Sequence, residues 1–427
     1  MSASARSLAL AVIRRVTEHG GYSTLALSAA LRRSGLPARD RDLAAELVYG
    51  TLRRIIPLDW AIERHTERSL ARASGSARAL LRLGAYQLLF TRIPDHAAVG
   101  ETVALASGRE RGFLNAVLRR LAAETPTWPG GDGDGDVSIR TGLTTWAVRD
   151  LRRLVGDEVE DAARALATAP PMGLRTNTCR ISSEDLERAL SEAGIEVGRG
   201  TVHRDTLLVR AAVPQRLPGW NDGWFTVQDE ASAFVVGALD PLPGERVLDA
   251  CAAPGGKATH VACLVGGGGL TVAADAMPKR AGLINGVATR LGVPVRVLAQ
   301  DARRPALRGA FDRVLVDAPC SGLGAARRRP ELLWRPRRDN LSHLARLQVA
   351  IVSSVAELLR PGGRLVYSVC TFPRAETDAA CDAILRHRPD LEPVDIAGPD
   401  GPAPRIRLWP HLHGTDAMFV AAFRRMA

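Results

Sequence analysis

Cysteine and lysine are both scarce in this 427-residue chain. Its six cysteines, Cys179, Cys251, Cys263, Cys320, Cys370 and Cys381, are too sparse for a disulfide scaffold, and no two form a C-x-x-C pair. Zinc-ribbon and thioredoxin-like readings are thereby excluded, and reduced thiols in a cytoplasmic setting are expected. A membrane-spanning helix needs about 18 or more apolar residues in a row. The charge-free stretch between Lys257 and Asp275 falls short of this, because Gly266 to Gly269 break it. Arg6, Arg14 and Arg15 interrupt the apolar positions of Met1 to Val16, so no signal peptide is expected. Among 57 basic residues only Lys257 and Lys279 are lysines. A lysine retained in so arginine-rich a chain is expected where a compact point charge is needed rather than a planar fork.

What is present is an ordinary globular composition, 46% apolar and 24% charged. The length suits about two to four domains. The net charge of +11 is uneven: +8 over residues 1–125, −6 over 126–240 and +9 over 241–427. Two positive blocks around an acidic middle suit a polyanionic partner held by two surfaces. A solvated basic face without a partner is the alternative that charge alone leaves open.

Residues 1–125 carry apolar positions at helical spacing, as in Leu8, Val12 and Val16 or Leu43, Leu47 and Val48, and predict an autonomous helical bundle. A Pro/Gly/Asp-rich run, PTWPGGDGDGD, reads as a boundary, with a linker over 126–139. Residues 140–240 read as a small α+β segment, with strands over Gly173 to Thr178 and Thr206 to Val213. From 241 to 427, strands alternate with helices, which predicts a doubly wound parallel sheet binding its ligand at the carboxyl ends of the strands.

The chemistry-bearing residues fall at those ends. DACAAPGGK, from Asp249 to Lys257, follows one predicted strand and opens a helix; its spacing is neither a dinucleotide fingerprint nor a P-loop. Asp275 ends the next strand, where a ribose diol would lie, and Asp301 ends the third. Together they fit an adenosine-containing cofactor. The fourth strand leads to Asp317-Ala-Pro-Cys320, and another leads to Cys370, so two thiols reach one rim. Cys263 and Cys381 sit on apolar helix faces and read as packing. Two thiols, a carboxylate, a lysine and an adenosine cofactor suit methylation at carbon 5 of a pyrimidine. A thiolate adds to C6 to make C5 nucleophilic, and a base later removes the C5 proton.

DACAAPGGK, VDAPCSGLG and RLVYSVCTF, in this order, resemble the RNA cytosine-C5 methyltransferases of the NOL1/NOP2/Sun family. RDLAAELVYGTLRR, LRLGAYQLL, AAVGETV and GFLNAVLRR resemble a NusB-like helical RNA-binding domain, a pairing that resembles a bacterial branch acting on small-subunit (16S) ribosomal RNA. The resemblance covers nearly the whole chain outside the linker. It implies an all-α NusB-like bundle, a small α+β RNA-positioning segment and a Rossmann-like α/β catalytic domain. It implies Cys370 as nucleophile and Cys320 as the residue that helps release product. S-adenosylmethionine would be held by Cys251, Ala252, Ala253, Pro254, Gly255, Gly256 and Lys257 with Asp275, Asp301 and Asp317. Asp317 would also reach the cytosine, Lys257 would lie near it, and Arg280 would support the cofactor. VQDEASA (Val227 to Ala233) resembles the family's lead-in to the catalytic domain. Val369 departs from the Thr that many members carry before the nucleophile. DNA-type enzymes instead use the Cys of the Pro-Cys motif as nucleophile. Arg327, Arg328 and Arg329 would border the crevice as phosphate contacts. No metal, membrane or obligate protein partner is implied. A transfer-RNA substrate, or an RNA-binding assembly factor without catalysis, are the alternatives.

Overall fold

The computed structural model describes residues 4–67, 69–210 and 213–427. The chain divides into two compact units: Met1–Thr168 with Ala326–Pro336, and Ala169–Ala325 with Arg337–Ala427.

The first unit is helical. Helices α1 (Ala5–His19), α2 (Ser23–Ser34), α3 (Ala38–Arg53), α4 (Ile55–Glu63), α5 (Gly75–Phe90), α6 (Asp95–Ala104) and α7 (Gly108–Ala123) surround one apolar core. Ser4 and Ser74 cap the amino ends of α1 and α5 with side-chain hydrogen bonds, and Gly20 (φ 68°) closes α1 in the left-handed region. The expected linker is ordered against this unit. Trp128 stacks on Trp60 with ring centroids 5.3 Å apart, and Arg140 donates to the carbonyls of Pro129 and Gly131. Helix α8 (Asp134–Thr141) begins inside the Gly/Asp run, and α9 (Thr145–Val155) and α10 (Val159–Leu166) follow. Composition signals a flexible run, but Trp128 docking on Trp60 and Phe90 overrides it.

Ala326–Pro336, remote in sequence, completes the helical unit. Trp334 packs on the core and donates its indole N–H to Leu52 O at 2.9 Å. Arg335 donates to Val16 O and Gly21 O at the carboxyl end of α1. The buried Glu331 accepts from Ser23 N at the amino end of α2. Both charges complement the helix ends they meet. This packing corrects the expectation for the first residue of the arginine cluster, while Arg328 is half-buried and Arg329 exposed. Arg327 is buried in the helical unit, with its Nε on Thr168 O at 3.4 Å and its carbonyl held by Arg53. It is a structural residue rather than a phosphate contact.

The second unit contains two larger sheets. Strands β1 (Met172–Thr176), β2 (Val197–Arg199), β3 (Thr206–Val209) and β4 (Phe225–Val227) make an antiparallel sheet in the order β2-β3-β1-β4. Helix α11 (Ser183–Glu192) packs Leu186 and Leu190 onto it. The strand expected to run to Val213 stops at Val209, and Ala211 and Ala212 lie outside the described residues.

Helix α12 (Glu230–Leu239) leads into the large sheet. Its elements are β5 (Arg246–Asp249), α13 (Gly256–Val265), β6 (Leu270–Asp275), α14 (Pro278–Leu291), β7 (Arg296–Ala299), β8 (Phe311–Asp317), α15 (Leu341–Val355), β9 (Leu359–Val369) and α16 (Asp378–His387). Then come β10 (Leu391–Pro393), a hairpin of β11 (Ile396–Gly398) and β12 (Gly401–Ala403), β13 (Arg405–Leu408) and β14 (Met418–Arg425). The order is β10-β14-β9-β8-β5-β6-β7, with β13 also on β14. Strands β5 to β9 are parallel, as expected of a Rossmann-like sheet. The remainder departs from a purely parallel sheet: β14 runs antiparallel to β9, β10 and β13. The connection from β13 to β14 is too short for a parallel crossover, so the chain returns antiparallel. Strand order reverses at β5, between β6 and β8, which opens the ligand crevice at their carboxyl ends.

Candidate active site

Strands β8 and β9 are paired with Asp317 opposite Ser368, so the residues just beyond them emerge side by side. Cys320 Sγ and Cys370 Sγ lie 3.5 Å apart. Asp317 accepts from Lys257 Nζ on one oxygen at 2.7 Å and from Ser368 Oγ on the other at 2.9 Å. Lys257 also donates to Ser232 Oγ at 2.7 Å. Gln228 Nε2 reaches the same hydroxyl at 3.3 Å, and Arg175 Nε donates to Gln228 Oε1 at 2.7 Å. A chain of polar contacts thus runs from β1 to the rim that holds the thiols.

The charges in this crevice are mutually dependent. Burial would lower the Lys257 pKa, but Asp317, with Asp249 and Cys370, more than offsets it and the lysine is held above its usual range. Cys370 contributes to the same upward shift, and by reciprocity the Lys257 ammonium favours a Cys370 thiolate. Cys320 is pushed up by its hydrogen bond to Cys370 and then by burial, so it is the protonated partner of the pair.

At the end of β5, Asp249 is fully buried, and its oxygens make no well-formed hydrogen bond beyond a weak contact with the Cys251 backbone N–H. Burial first, and the Asp317 charge second, push it up to about 7. Gly255, with φ +111°, turns the chain into α13; a Cβ there would sit 3.1 Å from Ile284, in a backbone conformation that side chains rarely adopt. Cys251, Ala252, Ala253, Pro254 and Gly256 complete the turn, and burial raises the Cys251 thiol. Arg280 donates to Ala253 O and pairs with Asp275, so it braces the turn as well as the acid. Asp275 is buried and accepts from Met277 N. These features fit a ligand with a ribose diol and positive charge: an orphaned buried carboxylate, a glycine cradle and a second acid at the adjacent strand end. Asp301 stands apart in its bonding. It pairs with Arg303 at 2.5 Å, which holds its carboxyl at about 2.

Asp249 is legible as the first letter of its motif and as a strand-end acid, but other residues of this site carry no local signal. Ser232 and Gln228 lie within VQDEASA, and Ser368 within RLVYSVCTF, but nothing local announces their partners. Cys179 and Cys263 are joined in a disulfide across 84 positions, with Cα atoms 5.8 Å apart. This corrects the expectation of six reduced thiols and of Cys263 as packing alone. The loop after β1 meets α13, a proximity that sequence spacing does not reveal. Cys381 is a buried core residue, as expected.

A doubly wound sheet with a glycine turn, strand-end acids and two adjacent thiols defines a Rossmann-like methyltransferase. The chain belongs to the family described as 16S rRNA methyltransferase RsmB/F, which matches residues 236–424. The NusB family matches residues 3–123, and the ferredoxin-like domain of RsmF/B-like methyltransferases matches 143–216. The ribosomal RNA small subunit methyltransferase B of Erwinia tasmaniensis is 33% identical, over 97% of both chains. A Mycobacterium tuberculosis protein described as a methyltransferase is 39% identical, over 99% of this chain and 96% of its own. Among solved structures, PH0851 superposes with a TM-score of 0.85 at 27% identity, covering 100% of both chains.

Proposed function

We propose that the protein methylates carbon 5 of a cytosine in small-subunit ribosomal RNA through a covalent bond from Cys370 to C6 of the ring. The observation that carries this reading is the thiol pair at 3.5 Å beside the Asp317–Lys257 pair. S-adenosylmethionine is the methyl donor and, when bound, supplies an electrophilic methyl group. Asp249, the turn from Cys251 to Lys257, Asp275, Asp301 and Asp317 would hold it. C5 of cytosine is too weak a nucleophile by itself. The Cys370 thiolate, favoured by Lys257 and by the Cys320 S–H, adds to C6 and gives C5 enamine character. Asp317 would accept from the N4 amine of the cytosine, and the Lys257 ammonium beside it would offset the electron density that addition places on the N3 edge. After methylation Cys320 gives its own proton to solvent, the resulting thiolate takes the C5 proton, the C5–C6 double bond re-forms and the C6–S bond breaks with its electron pair returning to the Cys370 sulfur. Cys370 itself is what raises the Cys320 pKa most. That influence ends once the Cys370 sulfur is bonded to carbon, so Cys320 ionises more readily at the step that needs a base. The helical unit, with its +8 over residues 1–125, would hold RNA phosphates.

The test is a protein–RNA band that survives denaturing electrophoresis. It is expected with Cys320→Ala and should disappear when Cys370→Ala is added, while Cys370→Ala alone ends methyl transfer. Adduct trapped by Cys370→Ala instead would reverse the two roles. Full activity in both single variants would refute covalent catalysis by these thiols. Bisulfite mapping of ribosomal and transfer RNA from a deletion strain identifies the substrate.

A further inference from the structure

Cys320 is gripped on both sides by groups that the reaction does not consume. Before it, Pro319 O accepts from Gln348 Nε2 at 3.0 Å. After it, Ser321 N donates to Glu376 Oε1 at 2.9 Å, and Ser321 Oγ donates to Glu376 Oε2 at 2.5 Å. Gln348 Nε2 also reaches Glu376 Oε1 at 3.0 Å. The Tyr367 hydroxyl lies 2.6 Å from Glu376 O and 3.0 Å from Gln348 Oε1. On the other thiol's side, Thr371 Oγ1 is 2.7 Å from Ser321 Oγ. Because the Ser321 hydrogen goes to the carboxylate, Thr371 is the donor of that bond. One carboxylate therefore ties together the residues that follow each thiol. Gly324 adds a second tie, its N–H donating to Cys370 O at 3.0 Å. A Cβ at Gly324 would lie 1.9 Å from Ala417 O, so the close approach requires glycine.

Glu376, Gln348 and Tyr367 are completely buried. Burying a carboxylate is unfavourable compared with packing an apolar residue of similar size, so this network is poorly explained as a source of stability. What it does specify is a geometry: its bonds to Pro319 O, to Ser321 and, through Ser321, to Thr371 constrain the loop bearing Cys320 and the residue after Cys370. We propose that Glu376 is a positioning residue which, through Ser321, sets the Cys320 thiol against Cys370 and so governs release of methylated RNA rather than methyl transfer. The release role rests on the covalent reading above; the placement of the thiol does not.

Two measurements on the full-length protein separate these parts. The first is the rate at which diamide, an oxidant that takes two electrons and two protons from two thiols, links Cys320 to Cys370, read by peptide mass spectrometry. A misplacement of about 1 Å costs reactions of oriented groups on the order of 100-fold. Glu376→Ala should slow the linkage on that scale, whereas Glu376→Gln, which keeps an acceptor for Ser321 N–H, should recover most of the rate. The second is RNA turnover. Glu376→Ala should keep a near-normal first round of methylation and KM for RNA, lose later rounds, and accumulate the denaturation-resistant RNA complex. If Glu376→Ala does not fold, Ser321→Ala takes its place, since it removes only the hydroxyl links; the same changes are expected at smaller size. An unchanged linkage rate in the folded variant overturns the proposal. So does failure to accumulate the complex under conditions where Cys320→Ala traps RNA. If Cys320→Ala itself traps nothing, the covalent reading fails, and the linkage rate alone decides whether Glu376 places the thiol.

Discussion

The Lys257–Asp317 pair offers a perturbation whose size follows from its surroundings. The two groups meet at 2.7 Å, with the lysine side chain 10% exposed and the aspartate 30%. Removing one partner of a buried pair costs about 3–5 kcal/mol, because the other charge is left uncompensated. Asp317→Asn strands the more deeply buried charge and belongs near the upper end. Lys257→Met strands a carboxylate that water can partly reach and that Ser368 still bonds, so it belongs at about 3 kcal/mol or below. At about 2–4 °C per kcal/mol for a unit of this size, the single variants should lower the melting point of the catalytic unit by roughly 6–20 °C. The double variant restores neutrality. Its loss should fall short of the sum of the singles by about 2–3 kcal/mol, the upper part of the range of about 0.5–3 kcal/mol for directly interacting groups. Differential scanning calorimetry measures these losses. Losses that add to within about 0.5 kcal/mol would show that the two charges do not interact, and the electrostatic account of the crevice would fail with them. Both single variants should also lose RNA methylation.

Asp249 supplies a pH signature. Its folded-state pKa, about 7 against an ordinary 3.8, means that its contribution to stability is complete below about 3.8 and is lost as pH rises through about 7. Asp249→Asn should therefore gain in melting temperature relative to the natural protein between pH 4 and pH 7. A cationic ligand favours the ionised carboxylate, so S-adenosylmethionine affinity, measured by calorimetry, should fall as pH drops below 7. A pH-independent dissociation constant would remove Asp249 from the cofactor site. In the helical unit, Trp334→Ala removes a half-buried indole and its bond to Leu52 O. The expected cost is roughly 2–3 kcal/mol, below the 3–5 kcal/mol of a fully buried aromatic. A melting transition of the helical unit left in place would show that Ala326–Pro336 is not part of its core.

Much of the catalytic rim is legible along the chain because its residues terminate parallel strands, and strands announce themselves by local apolar runs. Asp249, Asp275, Asp317 and the two thiols needed only the rule that ligands gather at carboxyl ends. The helical bundle is legible for a similar reason: its periodicity is a property of consecutive residues. Other features depend on which remote segments meet. Arg327 looks like a free basic residue in its own neighbourhood, yet it is buried against Thr168 and Arg53 in a segment whose Trp334 packs on the helical core. Trp128 converts a Gly/Asp-rich run into ordered structure by stacking on Trp60, and no local pattern signals that contact. The antiparallel placement of β14 depends on a short return from β13, and the Cys179–Cys263 pairing on a loop meeting a helix. Glu376 begins as an unremarked residue ahead of α16 and becomes a brace for Cys320 because β8, β9 and α15 bring Ser321, Thr371 and Gln348 to it. By itself the sequence determined which side chains stand at the strand ends, since that follows from local alternation. Only the tertiary structure decided how those side chains are held, since hydrogen bonds and ion pairs form between atoms that are near in space, whatever their distance along the chain.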